Sequence, residues 1–286
     1  SAQAGAAVAP GAASPGDLIT AEHKAIAGVD AKALAALLAP GAFGFGVDAA
    51  EAAEGQAGVV AQIVHDLGDP PPGGFTVTAK PPVVGQDSGH AWIAEELELG
   101  GADREPRHLA ISSLAAQIDN QWRFVAVHWA APVADATAER MAILQTLPAP
   151  QPIADRHDGD ASLDRAVRDA FASREAFADA SSERPDAFNY GSGGERARGA
   201  SIKKVFGKLR ASIRLHDGAR VASDSAWQPS APGARFGWAA VNVDFTSRTR
   251  AATEVTQTFR VLAILIKDGG SWKILQSHWS NGGPIH

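Results

Sequence analysis

Two stretches of the chain carry the same order of apolar and polar positions. RHLAISSLAAQIDNQWRFVAVHW (107–129) and QTFRVLAILIKDGGSWKILQSHW (257–279) align without a gap at an offset of 150, that is 257 minus 107. Each is an apolar run, a polar turn, and a second apolar run that restarts at a Trp and ends in His-Trp. Trp122, His128 and Trp129 fall on Trp272, His278 and Trp279. Those are the only identities, so the pattern carries the match. Apolar runs that reverse at a short polar turn predict a β-hairpin, with Lys267-Asp268-Gly269-Gly270 as the clearer turn.

The pattern before each hairpin also recurs. Asp17 to Ala39 has a helical stripe of Leu18, Ala25, Ile26, Val29, Leu34, Leu37 and Leu38, with a break predicted near Gly28. Ser162 to Ser182 has Leu163, Val167, Ala170, Phe171 and Phe177. Each helical stretch runs into a short strand, PGAFGFG from Pro40 and PDAFNYG from Pro185. A glycine then opens another helix, Gly55 to Leu67 and Gly199 to Leu215. Alternating strands follow at His90 to Leu99 and Gly237 to Phe245, and Trp92 corresponds to Trp238. Thr137 to Thr146 could form a short helix. Pro148, Pro150 and Pro152 predict a stiff connector. Helix, short strand, helix and a run of longer strands, stated twice, predict an α+β architecture. The expected domains are 17–133 and 160–286, with a Pro-rich linker at 134–159.

Composition changes this picture little. The chain has 286 residues, 45% hydrophobic and 20% charged, and no apolar run long enough for a membrane span. A net charge of -6 argues against a nucleic-acid partner. The absence of cysteine excludes disulfides, thiolate nucleophiles and Cys-ligated zinc. The nine histidines are scattered, so no metal site is expected and no cofactor is implied. The opening SAQAGAAVAPGAASPG reads equally as the start of an exported mature chain and as an untidy terminus, which leaves the compartment open. Residues 1–135 hold 6 Lys/Arg and 16 Asp/Glu, whereas 136–286 hold 20 and 16. Opposite charge favours the halves lying against each other.

A long first helix running into Pro-x-Ala-Phe, a glycine-led helix, a strand with an early Trp and a hairpin ending in His-Trp resemble the SnoaL-like proteins. These belong to the cone-shaped α+β barrels that include ketosteroid isomerase and nuclear transport factor two. The resemblance implies a curved antiparallel sheet wrapped on helices around an apolar pocket, present twice. Single-domain relatives commonly dimerise through the sheet. The expectation is therefore an intramolecular pseudo-dimer packed sheet to sheet, as a monomer or a further homo-oligomer. The family spans isomerases, cyclases and dehydratases, ligand binders and assembly modules.

Strict alternation would put Trp122, Phe124, Ala126 and His128 on one face, and Val125, Val127 and Trp129 on the other. If the first set faces the cone, His128 and His278 sit near a pocket mouth, where imidazole exchanges protons near neutral pH. The plainer reading is a structural histidine bonded to backbone. Glu96 and Glu98 share a face with Trp92, and Asn242 and Asp244 share one with Trp238. A carboxylate inside a cone would have a raised pKa, and a solvated face is the commoner case. Catalytic candidates are thus His278, Asp244, His128 and Glu96. Ligand-binding candidates are Tyr190, Trp238, Asp244, His278, Phe45, Trp92 and His128. The paired tryptophans also suit plain core packing. The second half, with Asn189, Tyr190, Ser280 and Asn281, is expected to hold the more polar and open cavity. Lacking a recognisable acid–base set, the chain is read first as a binder of a small, mostly apolar molecule. An isomerase, cyclase or dehydratase comes next, and a scaffold with filled cones last.

Overall fold

The computed structural model describes residues 12–101, 104–229, 233–249 and 251–282. The opening small-residue segment lies mostly outside them. In the first half, α1 (Pro15–Gly28) is capped by Ser14 and α2 (Ala31–Leu37) by Asp30. Each cap side chain accepts a backbone N–H that the helix leaves unpaired. The break falls at Val29, whose φ of 48° puts it in the left-handed region. Then come β1 (Leu38–Phe45), β2 (Ala52–Glu54), α3 (Gln56–Leu67), β3 (Thr76–Ala79) and β4 (Val83–Asp87). The long strands β5 (His90–Gly101), β6 (Arg104–Ile118) and β7 (Gln121–Ala130) complete a seven-stranded sheet. Its order is β2-β1-β7-β6-β5-β3, with β4 also on β5 and β1 parallel to β7.

The linker contributes α4 (Asp135–Ile143), and β8 (Arg156–Asp158) leads into the second half. There α5 (Ala161–Ala170), α6 (Arg174–Ala180), β9 (Phe188–Tyr190), β10 (Arg196–Arg198) and α7 (Ala200–Lys208) precede β11 (Ala211–Ser223), β12 (Phe236–Arg248), β13 (Glu254–Asp268) and β14 (Ser271–Ser280). The second sheet has the order β10-β9-β14-β13-β12-β11-β8, again with the short strand β9 parallel to the last, β14. The helix expected to reach Leu215 stops at Lys208. Residues from Ala211 pair with β12 instead, with Ile213 turned into the core. Among the described residues there are seven α-helices, and none is long and apolar enough to cross a membrane.

Apolar side chains gather in three main layers. Leu18, Ile26, Ile63, Trp122, Phe124 and Trp129 fill the concave side of the first sheet. Leu163, Phe171, Phe177, Phe206, Trp272 and Trp279 do so in the second. Between the two sheets lie Phe43, Trp92, Leu114 and Val125 from one half, and Phe236, Trp238, Ile264 and Leu275 from the other. The molecule is therefore α+β, with two sheets back to back and the helices outside. Phe43 stacks on Trp238 with ring centroids 5.0 Å apart, and Trp92 Nε1 donates to Asp186 O at 2.8 Å. Gly85 gives Trp92 room, because a Cβ there would come within 2.0 Å of the indole. Charge complements this layer. Arg220, Arg235 and Arg196 of the second half pair with Glu54, Asp87 and Glu96 of the first.

One irregularity decides which side chains meet. Along β6–β7 the pairing passes from Leu114↔Ala126 to Ala115↔Phe124, so Val125 is an extra residue. Along β13–β14 it passes from Ile264↔Gln276 to Leu265↔Ile274, so Leu275 is extra. Such a bulge shifts the two-residue period by one. Trp122 and Phe124 then share the concave side with Val127 and Trp129. Ala126 joins Val125 between the sheets. This corrects the strict alternation expected from the sequence: His128 and His278 turn away from the cones and toward each other.

Candidate functional site

The two histidines meet in the layer between the sheets. Their rings stack at 4.1 Å, both fully buried, with Tyr190 edge-on to His278 at 5.1 Å. Arg260 Nη2 donates to Ser280 Oγ at 3.3 Å, which leaves the hydroxyl proton for His128 Nε2 at 2.8 Å. Burial, then the His278 and Arg260 charges, push His128 well below the ordinary range. Burial and Arg260 hold His278 at about 3. Both are neutral at physiological pH.

The other candidates from the sequence also lie on the outward sheet faces or at their rims. Trp238 is covered by Phe43 and by the Arg220 guanidinium, 5.1 Å from its ring. Phe45 packs on Phe43 and His128. Trp92 packs on Phe236. Asp244 accepts from His216 Nδ1 and Thr258 Oγ1, and Asn242 donates to Gln151 O of the linker. Glu96 pairs with Lys80 and Arg196 beside Tyr190, whose hydroxyl is raised to about 12 by burial and then by Glu195. Tyr190 and His278 are neighbours, but the cavity that was to centre on them with Trp238 and Asp244 is not formed. The reason is parity. Because Trp92 and Trp238 face the opposite sheet, Ile93, Glu95 and Leu97 face the first cone, and Ala239, Val241 and Val243 the second.

What enters the first cone is a pair of carboxyls. Glu22 of α1 and Glu95 of β5 are each 3% exposed, and each keeps one buried oxygen without a partner. His23 Nε2 lies 2.7 Å from Glu95 Oε1. Burial, the Glu95 charge and a shared hydrogen bond raise Glu22 well above the ordinary carboxyl range. Glu22 thus keeps its proton to a higher pH than an ordinary carboxyl does. At the matching places of the second cone, 145 and 146 residues on (167 minus 22, 241 minus 95), stand Val167 and Val241. The buried carboxyl pair is therefore a feature of the first half, with apolar residues at the matching places of the second. A signal for it was present. Glu22 lies four residues after Leu18 and four before Ile26 on the apolar stripe, and Glu95 interrupts Ala91, Ile93, Leu97 and Leu99.

The second cone opens to solvent. A cavity of about 280 Å³ is floored by Phe206, Phe245, Phe259 and Trp279. Asn189, Ser247 and Gln257 add polar atoms, and Asp135, Glu139 and Glu195 stand at its rim. The linker helix α4 closes one side through Ala138, which is 2% exposed. Sequence reading missed this side because α4 carries too little apolar pattern to announce where it docks.

Asp48, Glu51 and His65 bring ligand-type atoms within 4.8 Å of one another, which their spacing did not suggest. Both Glu51 oxygens are engaged, by Asp48 N at 3.0 Å and His65 Nδ1 at 2.8 Å. Arg260 holds the carbonyls of the same loop from behind. Those bonds account for the cluster.

Comparison with known proteins bears on the fold. The SnoaL-like domain family matches residues 16–134. No curated protein matches the chain. Among solved structures, a protein of Parabacteroides distasonis ATCC 8503 provisionally described as a ketosteroid isomerase is 20% identical. The likeness covers 41% of this chain and 86% of that one, with a TM-score of 0.36. An NTF2-like protein of unknown function from Pseudomonas putida KT2440 is 18% identical over 42% and 86%, with a TM-score of 0.37. A protein of unknown function with a cystatin-like fold from Nostoc punctiforme is 12% identical over 40% and 86%, at 0.35. None of these values speaks to activity. Residues 16–134 thus match the SnoaL-like domain family.

Proposed function

We propose that this chain binds a small, mostly apolar molecule in the cone of its second half. In this proposal residues 160–286 are a second copy of the SnoaL-like domain at 17–133, joined to it by the linker 134–159. The covered sheet faces favour a monomer. The single observation that carries the binding reading is the 280 Å³ cleft floored by four aromatic rings. Its size is at the lower end of small-molecule sites, and an apolar floor with a few polar atoms is what orients a ligand. Ligand-observed NMR with a library of apolar fragments tests it. Hits should weaken about tenfold in Phe245→Ala, because the half-buried Phe245 ring stands edge-on to Phe259 and completes the floor. A library without hits, or hits indifferent to this change, would discard the proposal.

A second reading is favoured by the carboxyl pair in the first cone. Two buried carboxyls side by side, one of which keeps its proton beyond the ordinary range, can give and take a proton, as an isomerase or dehydratase requires. Such a pair is costly to fold. A carboxyl with a raised folded pKa loses stability as pH rises through its ordinary value of 4.5. Glu22→Leu, which copies the apolar character of Val167, should therefore stabilise the protein by about 1–3 kcal/mol at neutral pH. Urea titration measures it. A destabilised variant would mean that Glu22 is structural, and the acid–base reading would lose its basis.

A further inference from the structure

The rim of the second cone is acidic without a counterion. Asp135 and Glu195 converge on one point: a methyl at Gly193 would lie 2.3 Å from Glu195 Oε1 and 2.9 Å from Asp135 Oδ1. Glu139 follows one turn after Asp135 on α4 and lines the same cavity. Among the described residues, none of the three is ion-paired with a Lys or Arg, although this half of the chain is rich in both. Glu195 Oε2 accepts only a backbone N–H, from Gly193 at 3.1 Å. Deeper in the cavity wall, Gln257 Oε1 is buried and has no donor. The side chains around the opening thus offer acceptors and negative charge, and the floor offers aromatic faces.

From this geometry we infer that the ligand of the second cone is a cation: an amine or quaternary ammonium on an apolar, preferably aromatic, body. The inference rests on the binding reading above and names its ligand class. An ammonium at the mouth would supply the charge that Asp135, Glu139 and Glu195 lack. Its body would lie on Phe206, Phe245, Phe259 and Trp279, and ring faces attract cations as well as apolar groups. A primary amine could also donate to Gln257 Oε1. Burial and the charges of Glu195 and Glu139 raise Asp135 above the ordinary carboxylate range, as expected of carboxylates crowded without a cation. A neutral ligand would leave that repulsion in place, and an anion would add to it.

Calorimetric titration with 4-phenylbutylammonium, 4-phenylbutanol and 4-phenylbutyrate tests this, since the three share one body. The ammonium should bind about tenfold more tightly than the alcohol, and the carboxylate more weakly than either. In Asp135→Asn/Glu195→Gln the ammonium should fall to the level of the alcohol. If that variant does not fold, the salt dependence of the parent protein replaces it. Ammonium affinity should drop with added salt while that of the alcohol holds, because only the former is coulombic. An alcohol that binds as tightly as the ammonium overturns the cation inference and leaves the binding reading standing. No binding by any of the three overturns both.

Discussion

Arg260→Met is expected to lower the unfolding free energy by about 3–5 kcal/mol and to release the loop 46–51. Arg260 is 1% exposed, on a strand of the second half, yet it serves the first. Its Nη2 donates to Gly46 O at 2.8 Å and Val47 O at 3.1 Å. Its Nη1 donates to Glu51 O at 3.2 Å and also to Asp48 O. Burial lowers its pKa to about 10, opposed by the charges of Glu51, Asp66 and Asp48, so it stays charged at neutral pH. Methionine fills much of the volume but strands these carbonyls, and each buried acceptor left alone costs about 1–3 kcal/mol. It also removes the cation that faces the three carboxyls. Arg260→Lys keeps the charge without the planar fork and should fall between the two. Urea unfolding and limited proteolysis at the loop measure the effect. A loss under about 1 kcal/mol would show that the loop holds itself and that Arg260 is not its anchor.

Acid should open the protein through the stacked histidines. An imidazole held at about 3 in the fold, against an ordinary 6.5, leaves the unfolded chain binding more protons throughout that window. The stabilisation is complete above pH 6.5 and is lost as pH falls toward 3. At pH 4.5 His278 alone should cost on the order of 3 kcal/mol, and His128 moves the same way. Glu22 works in the opposite sense, since its penalty fades on acidification. The measurement is therefore a difference, with urea midpoints at neutral pH and near pH 4.5 for the parent and for His128→Gln/His278→Gln. The parent should lose more on acidification than the double variant. Equal losses would place the acid sensitivity elsewhere.

The elements were legible in the sequence because they rest on period. The helical stripe from Leu18, the short strand after Pro185 and the paired hairpins appear where their spacing puts them, whereas β1 begins already at Leu38, inside the stretch expected to be helical. The facing of the side chains was not legible, and the candidate site depends on it. Whether His128 or Trp129 looks into the cone turns on the extra residue at Val125. That residue sits in Phe-Val-Ala-Val, where any register keeps an apolar side chain on each face. The bulge at Leu275 lies in Ile-Leu-Gln, where Gln276 takes the face between the sheets and donates to Ile93 O. The bulge at Val125 leaves no such polar mark. The carboxyl pair was readable, since Glu22 and Glu95 both interrupt apolar sets, but only once those sets were known to be the inner ones. The rim of the second cone was harder still. Asp135, Glu195 and Gln257 come from three distant segments, and only the docking of α4 gathers them.

The layer between the sheets also has a consequence for how the chain is made. The first half is complete at Ala130, the end of β7, and its cover is complete at Ser280, the end of β14. That leaves 150 residues, 280 minus 130, still to be translated. At ribosomal speeds of about 5–20 residues per second the wait is roughly 8–30 s. During it Phe43, Trp92, Leu114 and Val125 form a bare apolar face on a nascent chain. Neighbouring chains on a polysome would present the same face to one another at the same stage, so the face most in need of a chaperone is the one the finished protein hides.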